Sequence, residues 1–488
     1  MSPLFSLILI PLVTAAFCMA GAAPRRISIF GAGANLILSL YLLASYNLKV
    51  GGFQFVGETP IFPAYGLNFS LGADGLSMVL LLLSTLVTFA AIWVTPSMEK
   101  SPGMFYACLL FISAGAIGAF ASIDLFFFYA FHELALIPTF LLIGIWGSGE
   151  RQRIAWKTTL YLAFGSFILL LGLIGLWLAV PPGLRTLDIR LLQHLGQVGI
   201  LDPGPVVYLL ILFGFGILIA LFPFHSWAPE AYASAPAPAA MLHAGVLKKF
   251  GLYGLLRIAV PIFPEEIQQF ANLLLVLLLG NILYLGLVTI AQKRLDLMLG
   301  YSSVMHMGYA FLGLVALNQL GLGGLSLMLF AHGLTIAVLF ALCGEISRRT
   351  GTLEFSELGG MAGVTPKLGL LFGFATMASI GLPGFATFAS EIMIFFGAFS
   401  RGAAGSFDWF QTVTALALWG VVISAIYMLR AYRRIFWGSR GSAVAEDFND
   451  ISPGTRWAVI LLLAALLITG FRPGLLLDYL TPVFAFLT

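Results

Sequence analysis

The chain has 488 residues, of which 60% are hydrophobic, 14% aromatic and only 9% charged, with a mean hydropathy of +1.01, whereas a soluble domain carries about 25% charged residues. So few charges cannot cover a water-facing surface of this size, which excludes a water-soluble enzyme and makes the lipid bilayer the first partner. A net charge of +3 without a long basic run gives no reason to expect a nucleic-acid partner.

A transmembrane helix needs ~20 apolar residues. Applied along the chain, that length predicts an all-α integral membrane protein of about fourteen transmembrane helices, at 2–20, 27–47, 74–95, 103–121, 123–146, 155–180, 205–226, 238–260, 266–291, 298–317, 322–346, 366–400, 410–436 and 456–480. The first segment ends in Ala20-Gly21-Ala22-Ala23, which has the look of a cleavage site, but no basic residue precedes Arg25, so a retained helix is expected. Gly31-Ala32-Gly33 in the second segment lacks the rest of a dinucleotide fingerprint and reads as helix packing. In the loop 181–204, Arg185, Asp188, Arg190 and His194 alternate with leucines and predict a short surface helix from Leu184 to Gln197. Few residues follow the last span, so a long lateral helix is not expected. Cys18, Cys108 and Cys343 lie far apart and form no cluster for zinc, haem or an iron–sulfur centre, so no cofactor and no metal is expected in this chain.

Orientation follows from the basic residues. With the N-terminus outside, sixteen lysines and arginines fall in inner loops and six in outer loops, which places both termini on the non-cytoplasmic face. Lys248 and Lys249 remain, inside the eighth segment. An ionisable group at the bilayer centre costs about 2.5 to 3.5 kcal/mol, so each requires a partner or a task. Glu133 in the fifth segment and Glu391 in the twelfth join the two lysines, and His225, His243, His306 and His332 extend the series. A lone buried pair serves equally well as packing glue. Acids and bases spread over several helices favour a relay for protons or cations.

Two segments carry helix breakers, at Phe222-Pro223-Phe224 and at Gly381-Leu382-Pro383-Gly384. Proline removes a backbone hydrogen bond, and in hydrocarbon the freed groups must face protein or water. Ordinary kinks would suffice. Interruptions five helices apart, in the seventh and twelfth spans, also fit two inverted five-helix repeats. The expected organisation is then 1–102 for an N-terminal three-helix segment, 103–260 for the first repeat, 261–436 for the second, and 437–488 for a loop and the last helix.

Gly72-Ala-Asp-Gly-Leu-Ser77, the Glu133 segment ending in Leu-Ile-Pro138, Phe222-Pro-Phe-His-Ser-Trp227, Ala244-Gly-Val-Leu-Lys-Lys-Phe-Gly-Leu-Tyr-Gly254, Tyr301-Ser-Ser-Val-Met-His-Met-Gly308 and Gly381-Leu-Pro-Gly384 with Glu391 occur in that order over roughly residues 65 to 440. Together they resemble the antiporter-like membrane subunits of NADH:quinone oxidoreductase, respiratory complex I, and most of all subunit M, the mitochondrial chain 4. The resemblance implies a subunit of a proton-pumping translocase in the bacterial inner membrane, with no redox centre of its own. Flavin, iron–sulfur clusters and quinone would belong to partner subunits, and neighbouring antiporter-like subunits would flank it. It implies Glu133 as a modulating acid, Lys249 as central proton carrier, His306 and His332 as relays, and Glu391 as the exit or hand-over group.

Two departures stand out. Where such subunits carry a lysine before Phe-Pro-Phe-His, this chain has Leu218, and no lysine occurs from 158 to 247. The usual Asp-Leu-Lys-Arg before Tyr-Ser-Ser reads Arg294-Leu295-Asp296-Leu297, with acid and base exchanged. Lys248 is the candidate substitute charge for Glu133. The alternative functions are a cation/proton antiporter, a membrane subunit of a hydrogenase or carbon-uptake complex, or a divergent copy that does not pump.

Overall fold

The computed structural model describes residues 2–487 except 22, 97, 99 and 403–406, so Ala22 of the cleavage-like stretch lies outside the described residues. Helices α1 (Pro3–Met19) and α2 (Pro24–Ser45) lead into an antiparallel hairpin of β1 (Gln54–Phe62) and β2 (Leu67–Ala73). This hairpin corrects the all-α expectation. It turns at Gly66, whose φ of 70° suits glycine. Then come α3 (Gly75–Val94), α4 (Pro102–Ala121), α5 (Leu125–Trp146) and α6 (Arg151–Ala179). The surface helix is shorter than expected: α7 (Ile189–Gln197) begins only after Asp188, whose carboxylate accepts the Arg190 amide as a cap.

Helix α8 (Gly204–Ile219) breaks off at Ala220, which has a left-handed backbone, and the chain resumes as α9 (Trp227–Ser234). The next span is α10 (Ala237–Leu242), a π turn His243–Leu247, α11 (Lys249–Gly254), a second π turn Leu255–Ala259, and α12 (Val260–Ile262). After α13 (Pro264–Gln269), α14 (Ala271–Leu279) continues through a π turn at Gly280–Tyr284 into α15 (Leu285–Ala291). Two long helices, α16 (Leu295–Ala316) and α17 (Gln319–Thr350), follow. The predicted span 366–400 is two helices, α18 (Pro366–Ile380) and α19 (Ala386–Phe399), separated at the glycine–proline sequence. The chain closes with α20 (Trp409–Phe436), α21 (Pro453–Phe471) and α22 (Gly474–Leu480).

Among the described residues nine helices are long and apolar enough to cross a membrane, and shorter apolar helices accompany them. The most hydrophobic stretches of α3 and α17 are 94% and 100% buried, so these two helices form the centre of the bundle. By contrast α6 leaves Trp156, Leu160, Phe164, Phe167, Leu171, Ile174 and Leu178 exposed. Their spacing of three and four residues makes one apolar stripe facing outward, as a lipid solvent requires.

Both helix breaks free backbone groups inside the bundle, and side chains take them up. At the first, fully buried Asn281 accepts from the Phe222 amide at 2.7 Å and donates to the carbonyls of Ala220 at 3.2 Å and Val304 at 3.0 Å. Trp227 donates to the carbonyl of Ile217 at 3.1 Å. At the second, Thr387 donates to the carbonyl of Ala378 at 2.6 Å, and a ring nitrogen of His306 lies 3.2 Å from that of Ser379. Pro223 and Pro383 themselves face outward and are exposed.

Candidate functional site: a buried ionisable axis

The π turn before Lys249 sets the centre of the site. It bonds the Lys248 amide to the carbonyl of His243, five residues back, instead of to that of Ala244. The Ala244 oxygen then accepts from the Lys249 ammonium at 2.8 Å. The same ammonium lies 2.8 Å from Nδ1 of His332 on α17. Two glycines allow this approach: a Cβ on Gly245 would meet the carbonyl of Gly333 at 3.0 Å, and one on Gly333 would meet that of Gly245 at 2.7 Å. The elements therefore touch backbone to backbone, and the two side chains reach each other.

From His332 the line continues to His306 on α16, with ring centroids 5.6 Å apart. Nδ1 of His306 lies 2.8 Å from the carbonyl of Ser302 and Nε2 lies 3.2 Å from that of Ser379. A neutral imidazole, with one N–H, satisfies only one of these acceptors at a time. Glu391, buried on α19, shares a cavity of about 10 Å³ with His306, His332, Ser302, Ser379 and Thr387. Gly381, in the left-handed region, leaves the space its carboxylate fills. Lys249, His332, His306 and Glu391 thus form one buried array spanning four structural elements.

Glu133 is not part of this array. Its carboxylate lies 3.4 Å from Nδ1 of His132 and accepts from Ser166 on α6, a hydroxyl also 3.2 Å from that of Tyr129. The Glu133 side chain retains 35% of its exposure. His132 in turn stacks on Phe250, with centroids 4.0 Å apart. The notion that Lys248 replaces the missing counter-ion does not match the geometry. Its ammonium faces Ser303 on α16 at 3.5 Å and the ring of Tyr232 at 5.6 Å, while hydrogen-bonding groups of α5 and α6 serve Glu133. Leu218, where a lysine was expected, is a buried core residue of α8.

The remaining candidates flank the array. His243 is buried between Trp227 and Tyr232, with Nδ1 unpartnered. His225 lies at the first helix break beside Phe222 and Tyr284. Arg294 and Asp296 pair with each other at 2.7 Å at the start of α16, lining a cavity of about 470 Å³ near the ends of α3 and α17. Their exchanged order therefore preserves an ion pair. Ser166, Ser303 and Asn281 escaped the sequence reading, because a small polar residue in an apolar run carries no contrast. The pattern that would have found them is adjacency to a charge or a helix break in space.

A bundle of apolar helices enclosing a line of amine, imidazole and carboxyl groups defines an integral membrane protein with an internal ionisable path. The model of the family described as NADH:quinone oxidoreductase/Mrp antiporter, TM matches residues 122–423, and the chain belongs to that family. It is 36% identical over 484 residues to the NAD(P)H-quinone oxidoreductase chain 4 of Gloeobacter violaceus, covering 98% of this chain and 90% of that protein. It is 33% identical over 483 residues to the F(420)H(2) dehydrogenase subunit M of Methanosarcina mazei, covering 97% and 95%. A chain of respiratory complex I from Thermus thermophilus with bound NADH superposes with a TM-score of 0.89 at 31% identity, over 100% of this chain and 99% of that one. The likeness to subunit M and chain 4 is borne out.

Proposed function

We propose that the chain is a proton-translocating, antiporter-like subunit of a complex I-type quinone oxidoreductase, converting quinone reduction in partner subunits into proton movement. The observation that carries this reading is the buried array Lys249, His332, His306 and Glu391, held by 2.8 Å bonds at its lysine end and by a shared cavity at its acid end. Lys249 is the central carrier, His332 and His306 pass protons between it and Glu391, and Glu391 hands them over. Glu133 with His132 and Ser166 is a separate acid. His225, His243, Arg294 and Asp296 support the array, and Lys248 holds a second amine on the α16 side.

This reading includes fourteen spans in two inverted repeats, 103–260 and 261–436, preceded by 1–102 and followed by 437–488. Its support is that each half contains one broken helix whose freed carbonyls are taken up by buried side chains. The bacterial inner membrane is the proposed location, with both termini on the non-cytoplasmic face, as the loop arginines require. Flavin, iron–sulfur clusters and quinone are assigned to partner subunits, and other membrane-arm subunits flank this one. The electron donor is a property of those partners, since the similar proteins are named for different ones.

A non-pumping copy is the second reading, favoured by Leu218 in place of a lysine. The assembled complex in sealed vesicles decides between them. Lys249→Ala is expected to lower the number of protons moved per electron, and an unchanged ratio would leave the chain a structural spacer.

A further inference from the structure

The chamber of about 470 Å³ near the ends of α3 and α17 reaches deeper than its Arg294–Asp296 pair. Exposed Arg348 and Gly351 stand at its rim, whereas Tyr232, Ala240 and Phe340 are buried. The loop arginines put that rim on the cytoplasmic face. Tyr232 and Ala235 belong both to this chamber and to a second cavity, of about 10 Å³, which Thr139 and His243 also line. That is close to the least space one water occupies. One ring and one alanine therefore form the wall between the chamber and the histidine.

Among the described residues, two buried polar atoms at this wall have no partner, Nδ1 of His243 and the hydroxyl of Tyr232. A buried donor or acceptor left bare is destabilising, and a position that only packs is better filled by an apolar side chain of the same shape. Behind the wall, the π turn links His243 to Lys248. Its bond from the Lys248 amide to the His243 carbonyl, 3.1 Å long, sets residue 248 one π turn above residue 243. Both side chains meet the Tyr232 ring, His243 with centroids 5.4 Å apart and the Lys248 ammonium 5.6 Å from the centroid. The partners of Lys248, that ring and the Ser303 hydroxyl, are neutral, and Lys249 follows it directly in the chain.

We infer that the chamber is a proton inlet from the cytoplasm, with His243 as its loading group, Tyr232 as the partition over it and Lys248 as the acceptor behind it. The inference rests on the proton-translocating reading and its orientation. The Tyr232 ring turns into the chamber, and water in the small cavity takes a proton from chamber water. That proton passes to Nδ1 of the neutral His243, forming an imidazolium. The imidazolium gives one N–H proton to the neutral amine of Lys248 and is neutral again. Lys248 is then an ammonium beside the Lys249 ammonium, and their repulsion favours transfer of the Lys249 proton to His332, 2.8 Å away. One proton has entered from the chamber and one has joined the array, while the lysine pair keeps a single positive charge. Relocation of that charge from Lys248 to the vacated Lys249 amine resets the pair.

Cys343, which lines the chamber on α17, supplies a plug in the unmutated protein. The assembled complex is treated with a small charged methanethiosulfonate, sealed into vesicles and compared with a Cys343→Ser complex treated alike, and the mass of the Cys343 peptide reports modification. Modification is expected to lower protons per electron in the unmutated complex and not in Cys343→Ser. His243→Leu is expected to lower the same ratio at normal complex abundance and normal uncoupled quinone reduction, and the plug is expected to lower it no further. A packing role for His243 would lower abundance and leave the ratio alone. If Cys343 escapes the reagent, Ser347→Cys on the same wall replaces it, and escape of both thiols overturns the inlet. So does an equal ratio in the modified and Cys343→Ser complexes, a normal ratio in assembled His243→Leu, or a further loss when that variant is plugged. If His243→Leu does not assemble, the plug decides alone. A lowered ratio in Lys249→Ala beside any of these failures spares the proposed function, and a normal ratio there overturns both.

Discussion

Asn281 illustrates how one side chain makes a broken helix tolerable in a lipid-embedded protein. Its amide meets one N–H and two carbonyls at the break after α8 and in α16. Leucine fills similar volume and meets none of them. At about 1 to 3 kcal/mol for each buried group left unsatisfied, Asn281→Leu is expected to destabilise the protein by ~3 kcal/mol or more, read as a lower Tm of the purified complex. The two lysines differ in the same terms. Lys249 has a carbonyl and an imidazole at 2.8 Å, while Lys248 has one hydroxyl at 3.5 Å. Lys249→Met is therefore expected to reduce protons per electron clearly more than Lys248→Met, both measured in vesicles. Charged residues were legible in the sequence because an amine or carboxylate in an apolar run is costly and stands out. Ser166, which supports Glu133, was not, and that Glu133 takes its partners from Ser166 and His132 is a fact of packing that no spacing rule reveals.

At the scale of elements, the decisive device is the contact between the π turn His243–Leu247 and α17. Gly245 and Gly333 face each other's backbones, and any side chain at either position forces the helices apart. Gly333→Ala introduces a Cβ 2.7 Å from a carbonyl and 2.8 Å from Leu83, a misfit of the kind that costs about 1 to 3 kcal/mol. The variant is expected to assemble with a lower Tm and to pump less, because the Lys249–His332 bond bridges α17 and the helix that the π turn leads into; protons per electron together with a melting curve check it. Helix breaks were readable because proline announces itself. The π turn was not, since Ala-Gly-Val-Leu fits an α-helix as well as a π turn. The hairpin Gln54–Phe62 with Leu67–Ala73 was hidden for another reason: Gly57 and Pro60 interrupt its alternation, and its partner strand runs straight into the apolar start of α3.

For the whole molecule, the array's chemistry bears on which ion it carries. Three of its four members, Lys249, His332 and His306, are nitrogen bases that hold and release protons. A sodium site calls for several oxygen ligands around a dehydrated cation, by analogy with other hard cations. The chamber at Glu391 measures about 10 Å³, scarcely room for one water, and the nearby Ser302 and Ser379 carbonyls already face the nitrogens of His306. An ammonium at the centre would also repel a metal cation entering from the Lys249 end. On these grounds the proposed path is assigned to protons. Replacing all sodium by choline at constant ionic strength is expected to leave protons per electron unchanged in vesicles, whereas replacing Glu391 by glutamine is expected to lower it in either medium. A ratio that collapses without sodium and recovers on its return would reassign the array to sodium, and the nitrogen bases would then have to serve as a counter-charge that moves against the metal ion.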